Sequence, residues 1–300
     1  MNPIEYEASL EEKFRKRFSE RFYSCIEIEP GLFTKGTTSP NIALTRELLK
    51  RTQIEGKDCV DVAAVDGWCC ILLRRRGAHS VVAFDRNDFS PLISEVQQKL
   101  AIDFDYFPLV KSQEWAEVAK LGRYKGFDVV VNSGLLYHVL GPVNTLAHSR
   151  SLVRTGGIMI VETVFDKDAK GYEMSFNAFG SKNKNDPTFF WSLSPKVFDY
   201  VLRMLRLLPI DMVFYGQRMA IACRAVPDVI APPGDSWVQE TYKARDILDL
   251  TDWSILEVKS TVDYAINESP LGIDVSQCYQ NSSPLSFTED QIKIGLGCTY

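Results

Sequence analysis

The chain is short of histidine, with only three among 300 residues, and its seven cysteines include no Cys-x-x-Cys pair. Zinc knuckles and disulfide frameworks need paired or evenly counted sulfurs, so these cysteines read as reduced thiols. No apolar run approaches the roughly 18 residues that cross a bilayer. Arg203 and Arg206 interrupt even the richest stretch, residues 201–208, and membrane spanning is excluded on this reading. The first seven residues, from Met1 to Glu7, lack the basic and apolar regions of an export signal, which points to the cytoplasm. Positive charge is in deficit: 34 Lys and Arg against 39 Asp and Glu leave a net charge of −5. Nucleic-acid binders carry a basic surplus, so nucleic acid is not an expected partner. No G-x-G-x-x-G follows any strand-like run, which removes the nicotinamide fingerprint. Asp166 and Asp168 flank Lys167 without further ligands at metal-binding spacing, and no metal is expected.

What is present is enough apolar sequence, 45%, for a core with an appendage. Leu10, Phe14, Phe18 and Phe22 recur every four residues amid charged neighbours, predicting an amphipathic N-terminal helix. From residue 59 to residue 163, β-branched apolar runs alternate with helix-forming stretches. The runs are 59–63, 80–85, 104–109, 127–132 and 157–163; the helices are near 67–76, 89–101, 112–121 and 142–154. Such alternation means βαβ units, hence a doubly wound, mostly parallel α/β sheet covered on both faces. Ser194-Pro195 opens a further helix reaching toward Leu208, and 210–215 with 219–223 form a closing strand pair, seven strands in all. The expected division is a helix and lid segment over 1–36, the α/β domain over 37–225, and a linker with a β-rich extension over 226–300. That extension offers a surface for a homodimer.

Ligands of doubly wound sheets bind beyond the carboxyl ends of the strands. The first such loop runs Asp61-Val62-Ala63-Ala64-Val65-Asp66-Gly67, with Gly67 opening a helix, and Asp85 ends the next strand. An acid at that second strand end can accept both ribose hydroxyls of a nucleoside. Asn132-Ser133-Gly134-Leu135-Leu136-Tyr137-His138 follows the fourth strand, with Gly141-Pro142 opening the next helix. Gly156-Gly157-Ile158-Met159-Ile160-Val161-Glu162-Thr163 forms the fifth strand, and Phe189-Phe190-Trp191-Ser192-Leu193-Ser194-Pro195 leads into a helix.

Taken together, these motifs resemble the class I methyltransferases that use S-adenosylmethionine. Within that superfamily they are most similar to the branch containing the tRNA wobble-uridine carboxymethyltransferase. The resemblance covers about residues 30 to 225 and leaves out the tail. It implies a cofactor site at Asp61, Ala63, Gly67, Asp85, Asn132, Ser133 and Tyr137. By the branch's motifs, Lys35 in Thr34-Lys35-Gly36, Tyr137 and Arg218 fall where a carboxylate is held, whether of a carboxylated S-adenosylmethionine, of the cofactor's own methionine end or of the acceptor. The family pattern of the first loop is D-x-G-x-G-x-G, and here Ala63 and Val65 replace two glycines; a valine strains any position that needs positive φ.

His138 is the candidate general base because, unlike His79 and His148, it lies at the mouth of the fourth strand, and Tyr137 beside it is the second catalytic candidate. Phe165, Tyr172 and Trp191 are candidate acceptor contacts, since aromatic rings can cage a cation or stack on an acceptor. The function expected is methyl transfer from S-adenosylmethionine to a small, carboxylate-bearing acceptor through O, N or S. Two alternatives stay open: a tRNA wobble-uridine carboxymethyltransferase and a non-catalytic methyltransferase-like module.

Overall fold

The computed structural model describes residues 22–24, 26–29, 32–33, 40–123, 126–166, 168–169, 171–177 and 188–226. The N-terminal helix apart from Phe22, the loop carrying Lys35, and the extension over 227–300 lie outside the described residues. A two-stranded hairpin, β1 (Glu27–Glu29) and β2 (Leu32–Phe33), precedes α1 (Pro40–Arg51). The α/β succession then follows: β3 (Asp58–Val62), α2 (Trp68–Arg75), β4 (Ser80–Phe84), α3 (Ser90–Leu100), β5 (Asp105–Phe107), α4 (Trp115–Ala119), β6 (Phe127–Ser133), α5 (Pro142–Leu152) and β7 (Val153–Val164). A second small hairpin, β8 (Met174–Phe176) and β9 (Trp191–Leu193), leads to α6 (Pro195–Met204) and the strand pair β10 (Leu207–Tyr215) and β11 (Arg218–Ala225).

Seven strands form one sheet in the order β10-β11-β7-β6-β3-β4-β5. Pairing is parallel from β7 to β5, and only β11 runs against its neighbours. This is the doubly wound, mostly parallel sheet that the alternation predicts. Its chain direction switches between β3 and β6, so the loops leaving those two strands diverge and open a crevice.

The central strands are buried on both faces, as parallel strands must be when helices cover them. In β6, Val130 packs into one core layer with Leu146, Phe198 and Leu202, while Val129 and Val131 pack into the other with Leu72, Leu92 and Val96. That alternation is the two-residue period of a strand, and each such valine stabilises the fold by about 1.5–3 kcal/mol. Helix starts follow local chemistry. The Ser194 hydroxyl accepts from the Val197 amide at 3.2 Å, and Pro195 and Pro142 occupy the first turns of α6 and α5.

One boundary moves. The helix expected to run to 154 ends at Leu152, and β7 takes the chain from Val153. A β-carbon on Gly157 would stand 2.8 Å from Val153 Cγ2 and 2.9 Å from the Asp128 carbonyl, so glycine is needed for β7 to lie this close to β6. No helix among the described residues is long and apolar enough to cross a membrane.

Candidate active site

The loop after β3 follows an unusual backbone path. Ala63, Val65 and Gly67 have φ of 59°, 48° and 73°, so all three positions of the glycine pattern lie in the left-handed region, two of them without glycine. Glycine occupies this region freely; an L-residue pays about 1–2 kcal/mol there, and a β-branched one is an outlier. The path is held by hydrogen bonds: the Ala64 amide donates to the Phe84 carbonyl at 3.2 Å and the Gly67 amide to the Ala64 carbonyl at 2.8 Å. The Val65 amide donates to Asp85 Oδ2 at 3.2 Å, and the Asn87 amide to Asp85 Oδ1 at 2.9 Å. The strained loop thereby fixes the carboxylate at the end of β4. At Gly67 the side-chain space is also closed, since a β-carbon would meet Ile93 and Phe104 at 3.1 Å.

Two further acids, one at the end of β3 and one within the loop, are buried here. Asp66 is buried and accepts from the Ser24 amide at 2.6 Å and the Ser24 hydroxyl at 3.0 Å, tying the segment before the domain to the loop. Asp61 accepts from the Cys70 thiol at 3.7 Å, and burial, with Asp66 and Asp85 nearby, pushes its pKa up to about 8. Burial also raises Asp66 and Asp85 above the usual carboxylate range.

Beside Asp85 opens a cleft of about 550 Å³. Ala63, Asp85 and Arg86 form one wall, Lys111, Ser112 and Trp115 another, and Leu135, Gly141, Asn144, Thr145 and His148 the side toward α5. This is the mouth of the crevice between β3 and β6. The α5 wall is fixed from below. Asn132 is wholly buried, and its Nδ2 donates to Ser149 Oγ at 2.8 Å, which in turn donates to the Thr145 carbonyl at 2.9 Å.

The turn after β6 carries a second cluster. Arg218, on β11, donates through Nε to Glu162 Oε1 at 2.7 Å and through Nη2 to Glu162 Oε2 at 2.9 Å and to the Tyr137 hydroxyl at 3.1 Å. The guanidinium also stands 4.8 Å from the Tyr137 ring centre. Glu162 is wholly buried, so Arg218 serves as its counter-charge, and the guanidinium is held in its charged form by that carboxylate despite burial. Burial pushes the Tyr137 phenol up to about 12, with Arg218 opposing, so it stays a neutral donor near pH 7. The His138 ring lies 4.1 Å from that of Tyr137, and its Nδ1 meets the Thr188 carbonyl at 3.2 Å and hydroxyl at 2.8 Å. A carbonyl only accepts, which favours the tautomer with the proton on Nδ1 and a basic Nε2.

Of the residues expected at the cofactor, Ala63 and Asp85 line the cleft, whereas Asp61, Gly67 and Asn132 shape it from within. Ser133 Oγ lies 2.7 Å from Thr45 Oγ1 and docks α1 rather than lining the cleft. Tyr137 and Arg218 meet, but neither they nor His138 are among the residues lining the cleft, and Lys35 lies outside the described residues.

The expected acceptor aromatics divide. Phe165 is wholly buried and edge-on to Phe214 at 6.4 Å, so it packs the core and does not face an acceptor. Tyr172 is exposed and edge-on to Tyr200 at 6.0 Å. Trp191 donates to the Leu140 carbonyl at 3.1 Å and meets Phe176 at 4.9 Å, joining the β8-β9 hairpin to the turn after His138.

Sequence reasoning missed Trp115, Asn144, Thr145 and His148, which line the cleft from helices and carry no local signature. It also missed that Glu162, although present in the Gly-Gly-to-Glu-Thr motif, is the partner of Arg218.

The family model described as "Methyltransferase domain" matches residues 37–197. Among curated proteins, the chain is 26% identical over 116 residues to a tRNA U34 carboxymethyltransferase of Idiomarina loihiensis, covering 37% of this chain and 34% of that protein. It is 26% identical over 134 residues to the tRNA U34 carboxymethyltransferase of Shewanella halifaxensis, covering 43% and 38%. The matches thus span little more than a third of these relatives' length. Among solved structures, the 1,6-didemethyltoxoflavin-N1-methyltransferase of Burkholderia thailandensis aligns at TM-score 0.47 and 15% identity, over 75% of this chain and 91% of that one. With the family model covering more than half of its length, the chain belongs to the methyltransferase-domain family.

Proposed function

We propose that the protein binds S-adenosylmethionine in the cleft beside Asp85 and transfers its methyl group to a small acceptor. The observation that carries this reading is the loop after β3. It keeps left-handed backbone at all three positions of the glycine pattern, even where Ala63 and Val65 make that conformation costly, and it holds Asp85 on the cleft wall. Strain of this kind persists where the surrounding structure and a ligand site require it. The residues present fit the cofactor. Asp85 suits two ribose hydroxyls, and the cleft volume suits a nucleoside.

S-adenosylmethionine, when bound, supplies a methyl group on a positively charged sulfur. The protein's share is alignment and the exclusion of water. Asp85 orients the ribose, and Arg218, donating to the Tyr137 hydroxyl, fixes the turn after β6. An O- or N-acceptor must lose a proton, and on this reading His138 takes it: its Nδ1 is held by Thr188, and its turn supplies Leu135 and Val139 to the cleft lining; a sulfur acceptor needs no base. Arg218 is already committed to Glu162, so a carboxylate on the acceptor or cofactor is not required by this cluster.

The curated relatives favour a second reading, transfer to a tRNA uridine; the net charge of −5 favours the small acceptor. Isothermal calorimetry with S-adenosylmethionine tests the proposal. Binding by the wild type and at least a tenfold loss in Asp85→Ala support it; no heat at millimolar cofactor overturns it.

A further inference from the structure

His148 stands on α5, 5% exposed, and lines the same cleft as Asp85. Its Nδ1 is sealed from solvent and has no hydrogen-bond partner. Its ring meets Trp115 edge-on, 5.8 Å between centres at 67°, and Trp115 meets Phe84 in the same manner at 5.2 Å. The imidazole is therefore placed by ring packing alone. Burial lowers its pKa and keeps it neutral near pH 7, able to donate from one nitrogen and accept at the other. A buried polar group left unpaired is costly, and a leucine or methionine would fill the same space against Trp115 without that cost. The polar edge has a use only if something in the cleft pairs with it.

Asp85 settles what that is. If it holds the ribose, the base extends from the sugar into the remaining lining, formed by Val110 to Ser112, Trp115 and α5. We infer that His148 reads the base of the nucleoside, hydrogen-bonding a ring nitrogen or the exocyclic amine of the purine, with Trp115 fixing the plane of the imidazole. The ring lines the cleft, and a half-turn about χ2 exchanges the sides to which its two nitrogens point while keeping its plane and its packing. The inference rests on the proposed cofactor and adds a residue that selects the purine by chemistry as well as by shape.

The test pairs deletion of the imidazole with deletion of single atoms of the base. Affinities of wild type, His148→Leu, His148→Asn and His148→Gln are measured by calorimetry for S-adenosylhomocysteine and for its 3-deaza, 7-deaza and N6-dimethyl analogues, with thermal melting to confirm that each variant is folded. We expect about a tenfold loss for His148→Leu with S-adenosylhomocysteine. One analogue should lose a similar factor with the wild type and nothing further with His148→Leu, and one of the amide variants should recover part of the affinity. Equal losses for every analogue in both proteins, or unchanged affinity in a folded His148→Leu, overturn the inference while leaving the cofactor assignment intact. Failure of the wild type to bind S-adenosylhomocysteine overturns both. If His148→Leu does not fold, the analogue profile of His148→Gln against wild type decides by the same criterion.

Discussion

Replacing Val65 by glycine should stabilise the protein, against the usual direction for a valine within a structured loop. Val65 stands at φ 48°, where a side chain with a β-carbon costs about 1–2 kcal/mol. Glycine removes that cost and adds about 0.4–1 kcal/mol of unfolded-state freedom. Val65 is half-buried and belongs to none of the hydrophobic core clusters, so little packing is lost. Its amide bond to Asp85 Oδ2 survives, because the backbone donor is unchanged. The net gain is about 0.5–1 kcal/mol, or roughly 1–4 °C in Tm for a domain of this size. Urea titration and thermal melting measure it, with coincident fluorescence and circular dichroism transitions as the check on two-state behaviour. Val65→Pro is the opposing control: proline fixes φ near −65° and removes the amide donor, so it should destabilise by more than about 2 kcal/mol and release Asp85. A loss of stability in Val65→Gly of about 0.5 kcal/mol or more, the result normal at a negative-φ position, would show that Val65 carries no left-handed strain.

Further outcomes follow from the same geometry. Ala63→Gly relieves a second left-handed residue and removes a methyl from the cleft wall, so S-adenosylmethionine should bind more tightly, by severalfold in calorimetry; weaker binding contradicts this placement of the cofactor. Arg218→Ala leaves the Glu162 carboxylate buried without its counter-charge and should cost about 3–5 kcal/mol by urea titration, most of it recovered in Arg218→Ala with Glu162→Gln; an unrecovered loss argues against the pair as the cause.

Asp61 has a folded pKa of about 8, far above its unfolded value, so its contribution to stability is full below about pH 4 and is lost as pH rises toward 8. The Tm difference between wild type and Asp61→Asn should therefore shift in favour of the asparagine variant between pH 5 and 8, and a pH-independent difference refutes it.

The central strands were legible because parallel strands covered by helices must be apolar on both faces. Runs such as Val129 to Val131 announce themselves without any partner in view. Helix starts at Ser194-Pro195 and Gly141-Pro142 were legible for equally local reasons, caps and fixed φ. The Asp85 end of the cleft could be read because an acid at a strand terminus has a local position. The α5 wall could not, since His148 reaches the cleft only through the packing of α5 on β6 and α4, a relation between residues far apart in sequence. His138 drew attention for following a strand, while His148 looked like one polar residue in a helix. Phe165 misled in the opposite way: its neighbours suggested an acceptor loop, but it directly follows β7 and is drawn into the core with it. Val65 shows a different limit. The sequence raised the conflict between valine and a glycine position, and only the backbone angles showed that the loop kept its path.

The most direct test of the account is a crystal structure of the protein with S-adenosylhomocysteine. The ribose hydroxyls should lie on Asp85, the base between the Ser112 to Trp115 segment and His148, and the sulfur should point toward the Tyr137 turn. A nucleoside bound elsewhere, or one whose ribose leaves Asp85 untouched, would contradict it.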